Sequence, residues 1–165
     1  LADGNIAFAS GHGIDFSANS SASGMSSELF DHYEEGTFDV TIADATSGGS
    51  TGSVTQTNKY VRIGNKVWMH FNLINITTTG LNGSNVLYFR GLPFTPATGS
   101  NGCGSVGINH VNVGSDTYDT NIFQNAGQSY AALLNNKDNT GSDSTIVSNI
   151  NNGNADIFGT YMIEV

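Results

Sequence analysis

A segment of fourteen residues that begins at Tyr60 constrains the fold more than any other part of this sequence. It reads Tyr-Val-Arg-Ile-Gly-Asn-Lys-Val-Trp-Met-His-Phe-Asn-Leu and ends at Leu73. The central Gly64-Asn65 pair tolerates the positive φ angles that a two-residue type I′ or II′ turn needs, and strand-forming residues lie on both sides of it. Beyond the turn, apolar and polar residues alternate with the period of a strand that has one buried face. The segment therefore predicts a β-hairpin with Gly64 and Asn65 as its structural turn.

The composition extends this prediction to the whole chain. Its 165 residues suit a single domain with one core. Only 12% of the residues are charged, and Asn, Ser, Thr and Gly supply most of the polarity. Because these residues disfavour long helices and favour strands joined by turns, we expect an all-β domain.

Strands alternate with turn-forming clusters over most of the chain. We expect strands at residues 37–42, 58–63, 66–76, 85–90, 104–113, 121–124, 129–135, 145–150 and 156–165. Short strands at this spacing predict an antiparallel β-sandwich of the jelly-roll type. Residues 27–33 begin with a capping serine followed by an acidic residue, and they predict one or two helical turns.

The N-terminal residues form a separate segment. Ile6-Ala7-Phe8-Ala9 and Ile14-Asp15-Phe16-Ser17 are a short repeat, and each copy places two large apolar side chains on one face. Two copies cannot bury these faces alone, so they either stack around the three-fold axis of a trimer or pack on the domain as ordinary strands. Residues 18–27 have the composition of a linker. We therefore divide the chain into a stem-like segment with linker at 1–27 and a β-sandwich domain at 28–165.

The last predicted strand is apolar on both faces. One face carries Ile157, Gly159, Tyr161, Ile163 and Val165, and the other carries Phe158, Thr160 and Met162. A strand of this kind is central in its sheet or buried at an interface. We predict that Tyr161, Ile163 and Val165 form the interface of a homotrimer.

Four motifs follow one another in a fixed order along the chain. They are Tyr33-Glu34-Glu35-Gly36-Thr37-Phe38, the Tyr60 hairpin, Gly91-Leu92-Pro93-Phe94 and Gly159-Thr160-Tyr161. Together they resemble the C-terminal domain of tail-fibre and other virion-surface proteins of marine bacteriophages, over most of residues 28–165. The resemblance implies a trimeric β-sandwich at the virion surface, outside the cell, which contacts a host or decorates the particle. It also implies attachment to other virion proteins through the N-terminus, and it carries over no catalytic residues.

The charge of the chain restricts its partners. The formal net charge is −9, with only five Lys and Arg residues. Nucleic acids are bound largely through basic side chains, so neither they nor anionic membranes are expected partners. No stretch approaches the roughly 20 apolar residues of a membrane span, and the N-terminus lacks the pattern of a secretion signal.

Long polar loops are the expected binding elements of a sandwich. The candidates are residues 43–56, 77–84, 114–120 and 136–144. Within them we predict that Tyr118, Asp116, Asn82 and Asp138 contact a host receptor. Neutral polar side chains with a few aromatic rings suit a glycan, and a host surface protein is the alternative.

No cofactor and no catalytic constellation are predicted. The G-x-S-x-G match at Gly48 and the G-x-G-x-x-G match at Gly102 both lack the helix that their functions need. The segment 136–141 matches the start of an EF-hand loop, but the twelfth position is Val147 and supplies no carboxylate. A looser calcium site remains open, at Asp138 and Asp143 or at Asp116 and Asp119.

Two single residues deserve separate predictions. Cys103 is the only cysteine, which excludes an intrachain disulfide. We expect a half-buried side chain in a turn-like segment, with an interchain disulfide as the alternative. For Trp68 we expect packing in the core or at an interface.

Two classes of function remain. The first is a receptor-binding module, and the second is a structural fibre or capsid-decoration protein that acts in trimer assembly and particle stability. An enzyme is not expected.

Overall fold

The computed structural model describes residues 4–54, 56–138 and 141–165, and this part of the chain forms two antiparallel sheets. The smaller sheet pairs β1 (Ile14–Asp15) with β2 (Leu29–Phe30). The larger sheet contains β3 (Tyr33–Phe38), β4 (Thr41–Ala43), β5 (Thr51–Gly52), β6 (Asn58–Ile63), β7 (Lys66–Ile76), β8 (Tyr88–Arg90), β9 (Gly102–Asn109), β10 (Thr117–Gln124), β11 (Ala131–Lys137), β12 (Gly141–Ser144) and β13 (Ala155–Glu164). The prediction of an all-β, antiparallel, sandwich-like fold is confirmed.

The larger sheet curls around a single core. Its strand order is β3-β6-β7-β13-β9-β10-β11-β8-β4-β5, with β12 paired to β11. Phe71 of β7 lies at the centre of the core, and its ring centroid is 5.6 Å from that of Phe38, 6.2 Å from that of Phe89 and 5.4 Å from that of Tyr161. Phe89 belongs to β8, which is not hydrogen-bonded to β7. The aromatic contacts therefore join the two halves of the curled sheet.

The predicted hairpin is present with the predicted bounds. β6 and β7 pair from Ile63 and Lys66 outward, and they leave Gly64 and Asn65 as the turn. The φ angle of Gly64 is +58°, whereas that of Asn65 is not positive, which is the pattern of a type II′ turn. Along β7 the expected residues alternate between the core and the outer surface.

The terminal strand β13 is central, as its sequence predicts. It lies between β7 and β9. The prediction that Tyr161 and Ile163 form a subunit interface is corrected, because both side chains are only 1% exposed in the single chain and pack in its own core. Val165 is partly buried against the same core, and its backbone N–H donates to Asn65 O at 2.8 Å. The pleat places the even-numbered residues of β13 on the outer surface instead.

The outer surface of the sheet carries an apolar row. Trp68 lies opposite Met162, and Met162 lies opposite Cys103 on the next strand. Trp68 is 38% exposed, and Cys103 is also exposed. A core position for Trp68 is therefore wrong, whereas its packing at an interface stays a prediction. Cys103 is an outward-facing strand residue rather than a half-buried turn residue, and an interchain disulfide stays a prediction. We call Trp68, Met162 and Phe158 the outer apolar row.

The glycines of β9 have a packing role that the sequence motif does not reveal. A Cβ atom on Gly104 would lie 2.4 Å from Cα of Tyr161, and one on Gly107 would lie 2.3 Å from the ring of Phe158. Glycine is therefore required where β9 passes bulky residues of β13. The G-x-G-x-x-G match reflects this close approach.

Two predicted elements are absent. Residues 27–33 are not helical, because Leu29–Phe30 forms β2 and β3 begins at Tyr33. Residues 145–150 are not a strand, because Val147–Asn149 forms a 3₁₀ turn that buries Val147 and Ile150.

The N-terminal segment lies open to solvent. Ile6, Phe8, Ile14 and Phe16 are between 48% and 68% exposed. β1 belongs to this segment, and its partner β2 lies beyond the predicted boundary at residue 27. The stem-like segment therefore folds back onto the start of the domain.

Candidate binding cleft

A polar cleft of about 570 Å³ opens beside the hairpin formed by β11 and β12. This volume lies within the usual range of ligand sites. The lining residues are Val86, Asn112, Val113, Gly114, Asn135, Lys137, Ser142, Asp143, Ser144, Ile146 and Asn149. Most of its polar groups are neutral amides and hydroxyls, and the apolar lining is aliphatic. We call this site the cleft.

One wall of the cleft is a loop that follows β9. Asn112 N–H donates to Asn149 O at 2.8 Å, and this bond ties the loop to the 3₁₀ turn. The Asn112 side-chain Oδ1 accepts from Gly114 N–H at 3.2 Å, which fixes the bend of the loop. One backbone hydrogen bond to the 3₁₀ turn and one side-chain hydrogen bond within the loop therefore hold this wall in place.

The floor of the cleft is a buried hydrogen-bonded cluster. Asn135 is 3% exposed, and its Oδ1 accepts from the hydroxyl of Thr120 at 3.1 Å. Its Nδ2 donates to the hydroxyl of Thr145 at 3.1 Å. Buried polar groups that are fully paired fix a single side-chain arrangement. The floor of the cleft therefore keeps one fixed arrangement.

Lys137 joins the two sides of the cleft. Its Nζ lies 2.6 Å from Oδ2 of Asp143 on β12 and 3.3 Å from Oδ2 of Asp116 in the opposite loop. The hydrogen bond that Lys137 donates to Asp143 is the largest cause of its raised pKa, followed by the one that it donates to Asp116. Lys137 therefore stays an ammonium ion. We call these three residues the ionic clip.

A second hollow of about 400 Å³ adjoins the cleft. It shares Asn112 and Asn149 with the cleft and continues past His110 to Asn151. Asn151 N–H donates to His110 O at 3.1 Å, which holds its far side together. The two hollows are therefore neighbours that share Asn112 and Asn149.

The predicted receptor residues are only partly gathered here. Asp116 reaches the cleft through the ionic clip, whereas Tyr118 lies two residues further on and is 72% exposed. Asp138 is exposed beside Lys137 but does not line the cleft. Asn82 lies in another loop, where its N–H donates to Asp44 Oδ2 at 2.9 Å. The structure therefore brings loops 114–120 and 136–144 together at the cleft, and it joins loops 43–56 and 77–84 to each other elsewhere.

Four residues of the cleft are not predicted from the sequence, namely Asn112, Asn135, Lys137 and Asn149. Asn112 and Asn149 fall within the predicted strands 104–113 and 145–150. For Asn149, the asparagine-rich run Asn149-Ile150-Asn151-Asn152 is a sequence signal for a loop rather than a strand. For Asn135, no local signal distinguishes a buried cleft floor from an ordinary strand residue.

The open calcium sites are not assembled as metal centres. Within the described residues, no group of three or more His, Cys, Asp or Glu side chains is arranged to hold a metal ion. Asp116 and Asp143 instead share the ammonium of Lys137. Asp119 Oδ2 accepts from Asn121 Nδ2 at 2.8 Å. Residues 139 and 140 of the EF-hand match lie outside the described residues.

The strands place the cleft and the N-terminal segment at opposite ends of the sheet. β3 follows the N-terminal segment and begins opposite Ile63, next to the turn that opens β7. β7 runs eleven residues from this turn to Ile76. Ile76 pairs with Ala155, which follows soon after the 3₁₀ turn that lines the cleft. At about 3.3 Å per residue, the two ends are roughly 35 Å apart.

Comparisons with protein-family models, with curated protein sequences and with solved structures found no match for this chain. In the part of the chain that the structure describes, no helix has the length and apolar character needed to cross a membrane.

Proposed function

We propose that this chain is the C-terminal domain of a bacteriophage virion-surface fibre and that its cleft attaches the particle to a host-cell surface. The observation that carries the proposal is the position of the cleft, at the end of the sheet opposite the N-terminal segment. A fibre that continues from the N-terminus would present this cleft outward. The motif resemblance supports the same assignment.

The chemistry of the cleft supports binding rather than catalysis. Lys137 is held as an ammonium ion by two carboxylates, so it is neither a general base nor a nucleophile at neutral pH. The other polar side chains are mainly amides and hydroxyls, which suit hydrogen bonding to a host glycan or surface protein. The net charge of −9 directs the domain away from nucleic acid and anionic membranes.

Adsorption tests this proposal. The purified chain should adsorb to the bacterium that the parent virus infects and should compete with intact virus for attachment. Weak individual contacts can be strengthened by roughly 10² to 10⁴ when several linked copies bind together. A correctly folded chain that neither adsorbs nor slows infection would reject the receptor-binding function.

A second proposal is that the chain forms a homotrimer and stabilises the particle. The outer apolar row supports it, because Phe158 and Met162 are 47% and 41% exposed on the sheet surface. The exposed apolar side chains of the N-terminal segment support it as well. These surfaces, rather than the buried side of β13, would contact neighbouring copies.

Light scattering at micromolar concentration tests the trimer. We expect a mass three times the 17.3 kDa of one chain. A mass of one chain across the concentration range would reject the trimer. A trimer that forms but does not adsorb to cells would reject the receptor-binding function. If virus particles that lack this chain are also fragile, the structural function takes its place.

A further inference from the structure

We infer that the cleft binds an uncharged oligosaccharide and that it does so without a divalent cation. This inference rests on the proposed function and names the ligand class of the same site. It follows from three features of the cleft, which are its charge balance, the mixture of its lining groups and its continuation into the second hollow.

The charge balance of the cleft disfavours acidic ligands. Lys137 is the cation of the cleft lining, and it already contacts Asp116 and Asp143. The ionic clip therefore has a net charge of −1 within a chain of net charge −9. A carboxylated or sulfated sugar would face like charge or would have to displace a carboxylate from Lys137. An uncharged sugar meets neither cost.

The lining groups match the two kinds of surface that a sugar ring presents. The amides of Asn112 and Asn149 and the hydroxyls of Ser142 and Ser144 can exchange hydrogen bonds with sugar hydroxyls. Val86, Val113 and Ile146 supply an aliphatic surface for the C–H groups of the ring. The cleft therefore presents both hydrogen-bonding groups and an apolar surface, as a sugar ring does.

The ionic clip takes the place that a bound cation would need. Two carboxylates on opposite sides of a polar cleft could hold Ca²⁺ through their oxygens. Here the ammonium of Lys137 already lies between them, at 2.6 Å and 3.3 Å. It balances part of their charge and joins the loop to the hairpin. The cleft therefore has its own fixed cation, and chelation should leave binding unchanged.

The second hollow indicates a ligand longer than one sugar ring. It shares Asn112 and Asn149 with the cleft. A ligand that extends from one hollow into the other would meet both of these asparagines. Affinity should therefore rise from a monosaccharide to an oligosaccharide of the same sugar.

Binding to immobilised saccharides provides the test. The probes are neutral oligosaccharides of hexoses and N-acetylhexosamines, each paired with a carboxylated or sulfated form of the same backbone. We expect the folded wild-type chain to bind neutral members, with equal affinity in EDTA and in millimolar CaCl₂ and little change with salt. Asn149→Ala should weaken this binding about two- to tenfold, which corresponds to one neutral hydrogen bond. Asn125→Ala, in an exposed turn at the other end of β10, is the matched control.

Three results would overturn the inference. They are binding to the acidic members alone, loss of binding in EDTA, and failure of every neutral probe to bind at millimolar concentration. Periodate oxidation of host cells separates this inference from the proposed function. Adsorption that survives oxidation would reject the saccharide ligand and keep host attachment. Absence of adsorption to untreated cells would reject host attachment itself.

Discussion

Single buried polar residues fix the arrangement of the core where side chains of β10 and β13 contact each other across β9. Tyr161 is 1% exposed, and its hydroxyl donates to Gln124 Oε1 at 2.7 Å. Gln124 is fully buried, and its Nε2 donates to the carbonyl oxygens of Phe94 at 3.1 Å and Gln128 at 2.7 Å. One glutamine thus connects the central strand to two loop carbonyls. Such a cluster is stabilising only while each of its members is paired.

Tyr161→Phe tests this cluster. The substitution removes the hydroxyl and leaves Gln124 Oε1 without its donor in the core, so the free energy of unfolding should fall by about 1–3 kcal/mol. Urea denaturation measures the change. The control is Tyr118→Phe, because Tyr118 is 72% exposed and its substitution should change stability by less than about 0.5 kcal/mol. Equal stability of the two variants would show that the buried bond contributes nothing.

Individual elements also depend on backbone geometry, and the β6–β7 hairpin shows this most directly. The φ angle of Gly64 is +58°, and no atom lies within 4 Å of the position that a Cβ would take. A side chain at this position would therefore be strained by the backbone alone. The hairpin sets the register of β7, which places five of its apolar residues in the core.

Gly64→Ala should lower the free energy of unfolding by about 1–3 kcal/mol, which is the usual cost of a residue held in a sparsely populated φ region. Gly83→Ala is the matched control. The φ angle of Gly83 is not in the left-handed region, and a Cβ there would make only an ordinary 3.4 Å contact with Ser148. Thermal unfolding of both variants decides the matter. A Gly64 variant as stable as the control would contradict the assigned turn.

The elements that the sequence predicted well are those whose signals are local. A glycine-asparagine turn and an alternating strand predict the bounds of β6 and β7 because the turn and its neighbours suffice to define them. At residues 27–33 the local capping signal is overridden, because Leu29 and Phe30 pair with β1. At residues 145–150 the apolar pattern does not distinguish the two structures, because a strand and a 3₁₀ turn can both bury Val147 and Ile150. The cleft could not be predicted, since it depends on Asn112 and Asn149 meeting across the fold.

At the scale of the whole molecule, ionisable groups confine maximal stability to a middle pH range. Hydrogen bonds from Tyr60 and Lys66 hold the pKa values of Glu34 and Glu164 below their ordinary values. Burial raises the pKa of the Tyr161 phenol well above its ordinary value. The pKa of Lys137 is raised as well, chiefly by Asp143. The two glutamates therefore bind their protons less tightly in the folded chain than in the unfolded chain. Tyr161 and Lys137 bind theirs more tightly in the folded chain.

The free energy of unfolding should therefore be constant between about pH 5 and pH 10 and should fall on both sides. Below this range the unfolded chain takes up protons that the folded carboxylates reject. Above it the unfolded chain releases protons that Tyr161 and Lys137 retain. Urea denaturation as a function of pH measures both limits. Tyr161→Phe should make the alkaline decline shallower, and an unchanged alkaline slope would show that Tyr161 titrates normally in the folded chain.

The most direct test of the account is to fill the cleft. Ser142 lines it from an exposed position on β12, so Ser142→Trp should block the cleft and leave the core intact. Asn125→Trp places the same bulky side chain in an exposed turn at the opposite end of the sheet. Adsorption of the purified variants to host cells should be lost for Ser142→Trp and unchanged for Asn125→Trp, with equal melting temperatures. Normal adsorption of a folded Ser142→Trp variant would contradict the assignment of this cleft as the host-binding surface.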